Sequence, residues 1–162
     1  MLTQAELQAQ LHYAPETGIF TRLVSNHHLV KVGEIAGSPN NRGYINISIN
    51  HKLYLAHRLA WLYTYGEWPT SIDHINNNKL DNRLCNLRQV THQQNNFNSS
   101  IRKNNKTKIK GVSWNKKLNK WIVQIQANYI KTHICVTNDF FEACCQAISF
   151  RKKLHGDYAN NG

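Results

Sequence analysis

Acid is what this chain is short of. Nine Asp and Glu stand against twenty Lys and Arg in 162 residues, a formal net charge of +11. The shortage is local: Met1 to Asp81 holds six residues of each sign and Asp139 to Gly162 three of each, whereas Asn82 to Asn138 holds eleven basic residues and no acid. The whole excess sits in that middle stretch. A concentrated positive field calls for a polyanion, of which a nucleic acid backbone with its condensed counterions is the commonest. A face that served solubility alone would mix both signs.

Cysteine is also scarce. The four, Cys85, Cys135, Cys144 and Cys145, form no CxxC pair and have no companion His at finger spacing. Neither a structural zinc nor a disulfide framework is expected, and they read as reduced core residues. No segment approaches the ~20 apolar residues of a bilayer span. The start, MLTQAELQAQL, lacks the basic segment and long apolar run of a secretory signal. Between Arg102 and Lys110, Lys alternates with Asn and Thr and only Ile109 is a large apolar residue, so the apolar face of a membrane-surface helix is missing. A soluble cytoplasmic protein without a membrane partner is expected.

Three segments differ in pattern. Residues 1–66 open with a helical stretch carrying Leu2, Leu7 and Leu11, then turn at Pro15-Glu16-Thr17-Gly18. The strict alternation of Tyr44 to Ile49 marks a half-buried strand, Asn50-His51 a tight turn, and Lys52 to Ala56 the returning strand of a hairpin. Arg58 to Tyr65 reads as a helix stopped by Gly66, with Trp61, Leu62 and Tyr65 facing the core. Residues 67–100 hold the candidate chemistry, with Trp68, Leu80, Leu84 and Leu87 as packing residues. Residues 101–107 form a basic linker too poor in apolar groups to fold alone. Residues 108–162 read as strands followed by a helix whose apolar face carries Ala143, Ala147, Ile148, Phe150 and Leu154.

The segment from Ser71 to Asn95 carries the strongest signal. Asp73 and His74 end a short extended piece, an Asn-rich loop follows, Asn86 to Val90 can return as a second strand, and Thr91 with Gln94 fits a capping box that opens a short helix. Phosphodiester cleavage needs a base for water, neutralisation of the phosphoryl oxygens and stabilisation of the departing 3′ oxygen; a divalent ion supplies the last two. Asp73 and Asn95 offer hard oxygen ligands suited to Mg²⁺ or Mn²⁺. His74, with an ordinary pKa of about 6.5, is the candidate base, and Asn86 is placed to orient it. Because neighbours on a regular strand face opposite ways, irregular backbone is expected beside Asp73 and His74, and the Asn76-Asn77-Asn78 run would tolerate it.

Asp-His, then Asn-Lys-Leu-Asp-Asn-Arg-Leu-x-Asn-Leu-Arg, then Val-Thr and Asn, preceded by His57-Arg58, resembles the HNH nucleases with the strand-strand-helix metal fold, especially phage and intron-encoded homing endonucleases. That resemblance implies a magnesium-dependent endonuclease acting on double-stranded DNA. In it Asp73 and Asn95 hold the metal, His74 activates water, Asn86 supports the active-site loop, and Asn82 is structural. His57 reads as either packing or site support. The other histidines, His12, His27, His28, His51, His92, His133 and His155, read as surface or core residues.

Gly111-Val112, Lys120-Trp121, Phe141 with Ala147, and Leu154-His155-Gly156 together resemble the ethylene-response-factor (APETALA-like) DNA-binding domain, a three-stranded sheet with one helix. The candidate DNA contacts are Arg102, Lys103, Lys106, Lys108 and Lys110 around the linker and Trp114, Lys116, Lys117, Lys120, Trp121 and Gln124 in the module. Lysines are expected on phosphates, and Trp and Gln near base edges. The expected class is α+β: an N-terminal antiparallel sheet with a helix, a central ββα-metal module and a C-terminal sheet plus helix. Two alternatives stay open, a non-catalytic DNA-binding or regulatory protein that keeps the HNH fold and an RNA-directed nuclease. Monomer and homodimer are both compatible with the sequence.

Overall fold

The computed structural model describes residues 1–25, 31–99, 101–127 and 130–160. His27, His28 and Ser100 lie outside the described residues. The fold is α+β, in two compact units, Met1–Thr91 and His92–Gly162.

In the first unit, Thr3 caps α1 (Gln4–Gln10) reciprocally: its hydroxyl accepts from the Glu6 N–H and the Glu6 carboxylate accepts from the Thr3 N–H. Strands β1 (Leu11–Ala14) and β2 (Ile19–Arg22) form a hairpin around the Pro15 to Gly18 turn. A second antiparallel sheet has the order β3 (Ser38–Pro39), β4 (Ile45–Ile49), β5 (Lys52–Leu55). Between β4 and β5, Asn50 and His51 take φ of 49° and 61°, the two left-handed residues that a two-residue hairpin turn matching the strand twist requires.

Helix α2 (Ala56–Tyr65) follows β5 without a linker, two residues earlier than its expected start, because Ala56, Leu59, Ala60 and Leu62 are all buried along it. Gly66, at φ 77°, ends it by donating its N–H to the Leu62 carbonyl. Tyr65 is 54% exposed rather than in the core. It leans on Trp61, one turn back, on the flank of the stripe set by Leu59 and Leu62. Leu80, expected to pack, is 53% exposed in the Asn-rich loop.

Strand β6 (Ile72–His74) pairs antiparallel with β7 (Leu87–Gln89). Ile72 and Leu87 share one apolar cluster with Leu7, Leu11, Tyr13, Phe20, Ile47, Leu59 and Leu62, so the segments before and after Gly66 are built on the same core. The β1–β2 hairpin also braces the loop ahead of β7. The Tyr13 hydroxyl donates to the Asn82 carbonyl at 2.7 Å and the Leu84 N–H donates to the Pro15 carbonyl at 3.0 Å. Gly18, at φ 73°, allows this approach: a Cβ there would lie 2.4 Å from the Arg83 nitrogen and the Asn82 carbonyl carbon.

The second unit comprises α3 (His92–Asn98), the antiparallel sheet β8 (Val112–Asn115), β9 (Lys120–Ala127), β10 (Ile130–Thr137) with β9 central, and α4 (Phe140–His155). Asp139 caps α4 by accepting from the Phe141 and Glu142 N–H groups. The helix buries Ala143, Ala147, Arg151 and His155 at four-residue spacing. Ile148 and Leu154, expected on that face, are 39% and 44% exposed, since the two alanines let the backbone close on the sheet and narrow the covered stripe.

Arg151 and His155 are buried because each has a partner. Arg151 donates to the carbonyls of Phe97 and Asn160, His155 Nε2 bonds the Gln126 carbonyl, and the His155 ring lies flat on Phe97 at 3.8 Å. The Lys110 ammonium donates to the Phe97 and Ser99 carbonyls. Two cations thus meet the C-terminal end of α3, where unpaired carbonyls and the helix dipole favour positive charge. Burial, and then the charge of Arg151, push the Lys110 ammonium down to about 8.

Gly18→Ala places a side chain on backbone and forces a left-handed L-residue, which costs at least about 1–2 kcal/mol before any clash is relieved. Urea unfolding should show the unfolding free energy lowered by at least that amount, with a lower midpoint, and an unchanged midpoint would mean that the hairpin does not hold the loop.

Candidate active site

The Asn-rich loop is built from side chains that satisfy backbone. Asn76 Oδ1 accepts from the Asn78 N–H and Asn78 Oδ1 accepts from the Leu80 N–H, so two Asx turns follow one another. Asn77 takes the left-handed conformation, φ 61°, that Asn tolerates. Asn86 closes the loop from the other side: its Oδ1 accepts from the Asn76 N–H at 3.0 Å and its Nδ2 donates to the Asp81 carbonyl at 2.8 Å. Arg83 binds the Asp81 carboxylate through Nε and Nη2, and with Asn76 holds it well below the usual carboxylate range. The short 3₁₀ turn Leu84–Asn86 then leads into β7.

At the end of β6 both candidate residues are buried. Regular pairing persists through His74, opposite Leu87, and the chain leaves the ladder only afterwards, where the Asn77 N–H donates back to the His74 carbonyl. The irregular backbone expected beside Asp73 and His74 therefore begins one step later. Asp73 lies opposite Arg88 in the ladder, and the Arg88 guanidinium donates from Nε and Nη2 to Asp73 Oδ2 at 3.0 and 2.9 Å.

The imidazole of His74 has Asn82, not Asn86, as its partner, with Nε2 3.2 Å from Asn82 Oδ1. Asn82 Nδ2 donates to the Leu80 carbonyl, which turns its oxygen toward the ring. A carboxamide oxygen can only accept, so this network puts the His74 proton on Nε2 and leaves the lone pair on Nδ1. Burial lowers the His74 pKa, with the Asn82 hydrogen bond and the Asp73 and Asp81 charges acting against it. The ring is neutral at neutral pH.

Two aromatic neighbours come from distant segments. His57, on α2, meets His74 edge-on at 5.0 Å between ring centres, and Tyr44 lies 5.2 Å from His57 and 6.0 Å from His74. Lys79 stands 4.6 Å above the Tyr44 ring and donates to the Arg42 carbonyl, joining the Asn-rich loop to the hairpin sheet. Burial, then the charges of His74 and Arg58, push His57 down to about 3. His57 is thus a neutral wall beside the candidate base. Nothing in the sequence marked Tyr44, Lys79 or Tyr13, because each acts through a fold contact and not through a spacing.

With this geometry in place, the comparison with known proteins is direct. The HNH endonuclease family matches residues 54–97, the span from the end of β5 through α3. Protein 3.8 of Escherichia phage T7 is 32% identical over 105 residues, covering 64% of this chain and 86% of that protein. The chain belongs to the HNH endonuclease family. No solved structure matches it. Membership makes DNA the substrate polymer, and the matched span contains Asp73, His74, Asn82, Asn86 and Asn95.

HNH nucleases use a divalent metal, and the donors here are of the hard kind. Asp73 brings a buried carboxylate and Asn95, on α3 of the second unit, a carboxamide; among the described residues no three His, Cys, Asp or Glu side chains cluster. One carboxylate with neutral oxygen donors and water suits Mg²⁺ or Mn²⁺ chemistry.

The candidate DNA contacts divide by position. Arg102, Lys103, Lys106 and Lys108 are exposed on the segment before β8, Lys110 is half-buried against α3, and Lys116 and Lys117 occupy the β8–β9 turn, where Asn115 Oδ1 accepts from the Lys117 and Leu118 N–H groups. Trp114 and Trp121 are cross-strand partners and share the sheet face with Val112 and Val123, the face that α4 covers. Lys120 and Gln124 alternate onto the opposite, open face. A single surface carrying both Trp residues and Gln124 is therefore not what the strands present.

A His with a depressed folded pKa stabilises the fold fully above its unfolded value, and that contribution is lost as pH falls. For His57 the window runs from about 6.5 down to about 3. Its share of the slope should approach about 1.4 kcal/mol per pH unit below that upper limit. Denaturation curves between pH 7 and pH 5, in units of the unfolded His range, should flatten in His57→Phe relative to the wild type. Equal slopes would show that His57 is not held neutral by burial.

Proposed function

We propose that the chain is a divalent-metal-dependent DNA endonuclease in which His74 acts as general base. The observation that carries this reading is the buried His74 ring, whose Nε2 proton is committed to Asn82 Oδ1, which makes Nδ1 the basic nitrogen. His74 Nδ1 takes a proton from the attacking water, and the neutral ring is available for this without a prior deprotonation. Asn82 fixes the tautomer, Asn86 holds the loop that carries it, and His57 with Tyr44 excludes water from one side of the ring.

Asp73 and Asn95 would hold Mg²⁺ or Mn²⁺. When bound, the ion neutralises phosphoryl oxygens and stabilises the departing 3′ oxygen. Arg88 aims the Asp73 carboxylate through two donors on one of its oxygens.

The second unit is read as the DNA-holding module, in the manner of the ethylene-response-factor domain that its strand and helix pattern resembles, with Lys103, Lys108, Lys117 and Lys120 on phosphates. Duplex DNA as target, a homing role of the phage type and action in the host cytoplasm follow the same resemblance. Among the described residues no helix is long and apolar enough to cross a membrane.

The test is conversion of supercoiled plasmid to open circles in Mg²⁺ or Mn²⁺. EDTA should stop it, and His74→Ala should lower the rate by roughly 10²- to 10⁴-fold while the protein still binds DNA. Intact plasmid with every divalent ion, or a His74→Ala variant as active as the wild type, would leave only the reading of a DNA-binding protein that keeps the HNH fold.

A further inference from the structure

The second unit contains a cleft of about 1000 Å³ lined by several of the candidate DNA contacts. One wall is aromatic. Trp114 and Trp121 meet edge-on at 4.9 Å, and Trp121 packs against Phe140, at the start of α4, at 4.7 Å. These rings lie where the sheet-and-helix sandwich runs out, so Trp114 and Phe140 remain 42% and 40% exposed. The facing wall is the segment ahead of β8, which is held in shape by its own side chains: Asn105 Oδ1 accepts from the Thr107 and Lys108 N–H groups, and the Thr107 hydroxyl bonds the Ile109 and Val112 carbonyls. The linker read from sequence as structureless is here the side of a cavity.

The chemistry of the lining is specific. Arg102, Lys106, Lys110 and Lys116 line the cleft together with the aromatic rings, and among the described residues no carboxylate does. The nearest acids on α4 are engaged: Asp139 caps the helix and Glu142 accepts from the Thr137 hydroxyl. Exposed aromatic rings beside exposed cations such as Arg102, Lys106 and Lys116 form a poor apolar-peptide site and a good site for a planar group attached to a phosphate.

Bases inside a duplex have both faces stacked on neighbours, so an aromatic wall in a concave cleft gains contact only with a base that has left the stack. Cavities of several hundred Å³ are of the size that engulfs such a ligand. We propose that this cleft binds an unstacked nucleobase of single-stranded DNA, with the base against Trp114 and Phe140 and its flanking phosphates on Arg102, Lys106 and Lys116. The second unit then recognises melted or single-stranded DNA, separately from the open sheet face and its lysines. The inference rests on DNA being the substrate polymer and not on catalysis by His74.

The experiment uses the full chain in EDTA, so that nothing is cut. Fluorescence anisotropy compares a short single-stranded DNA, its blunt duplex and an RNA of the same sequence, and intrinsic tryptophan emission is followed in the wild type. Trp114→Ala should weaken single-strand binding by roughly 5- to 150-fold, the range for losing one base-stacking aromatic. Trp114→Phe should largely restore it, duplex binding should be unchanged, and single-stranded DNA should quench tryptophan emission more than duplex at equal occupancy. Equal weakening for both DNA forms, equal quenching, or tighter binding of the RNA would overturn the proposal. The wild-type quenching decides the matter even if Trp114→Ala fails to fold. Loss of nicking with these binding results intact would count against the catalytic reading alone.

Discussion

The account depends on one hydrogen bond, from His74 Nε2 to Asn82 Oδ1. It selects the tautomer, and so decides which nitrogen can accept a proton. Asn82 sits on a loop that would not be stiff alone, and the fold surrounds it with supports of separate origin. The Tyr13 hydroxyl holds its carbonyl, Pro15 accepts from Leu84 two residues on, and Gly18 makes room for the contact. Asn76, Asn78, Asn86 and Arg83 lock the loop from within. The N-terminal hairpin and helix are in this sense part of the candidate site's support, since they share a core with β6 and β7 and set the position of the residue that bonds the His74 ring.

Electrostatics divides the labour. Two acids of the first unit are committed to definite cations, Asp73 to Arg88 and Asp81 to Arg83, so their charge organises the loop and the strand pair. In the second unit the balance is reversed. Lys110 and Arg151 meet the carbonyl end of α3, the helix that carries Asn95, while Arg102, Lys106 and Lys116 line an aromatic cleft and Lys103 and Lys108 stand exposed before β8. The eleven basic residues that make up the acid-free stretch are thus not a uniform coating. Some hold the fold, and others are left for phosphate.

Much of the nuclease motif was legible in the sequence because its order is local. Asp73, His74, Asn82 and Asn86 lie within fourteen positions, and the spacing of Asn, Asp and Leu carries the turns that bring them together. The two-residue turn at Asn50-His51 and the stop at Gly66 were legible for the same reason, since each needs a left-handed residue and has one. What escaped depends on distance. That Asn82 and not Asn86 bonds the imidazole is decided by which way a carboxamide turns, and the Leu80 carbonyl decides it. Tyr44 and His57 reach the site by packing. Arg151 had no role legible in the sequence and His155 was open between surface and core; Arg151 is buried against the Phe97 carbonyl at the end of α3, and His155 by its bond to the Gln126 carbonyl and its stacking on Phe97. Strand alternation puts Trp114 and Trp121, the candidate base contacts, on the same sheet face as Val112 and Val123, where Trp114 stays 42% exposed.

The most direct measurement is the tautomer of His74, read from long-range proton–nitrogen correlations on histidine-labelled protein at neutral pH. A neutral ring with its proton on Nε2, shifting to a mixture of tautomers in Asn82→Ala, is the predicted result. A proton resident on Nδ1 in the wild type would contradict the account, because the nitrogen assigned to take the proton from water would already be occupied.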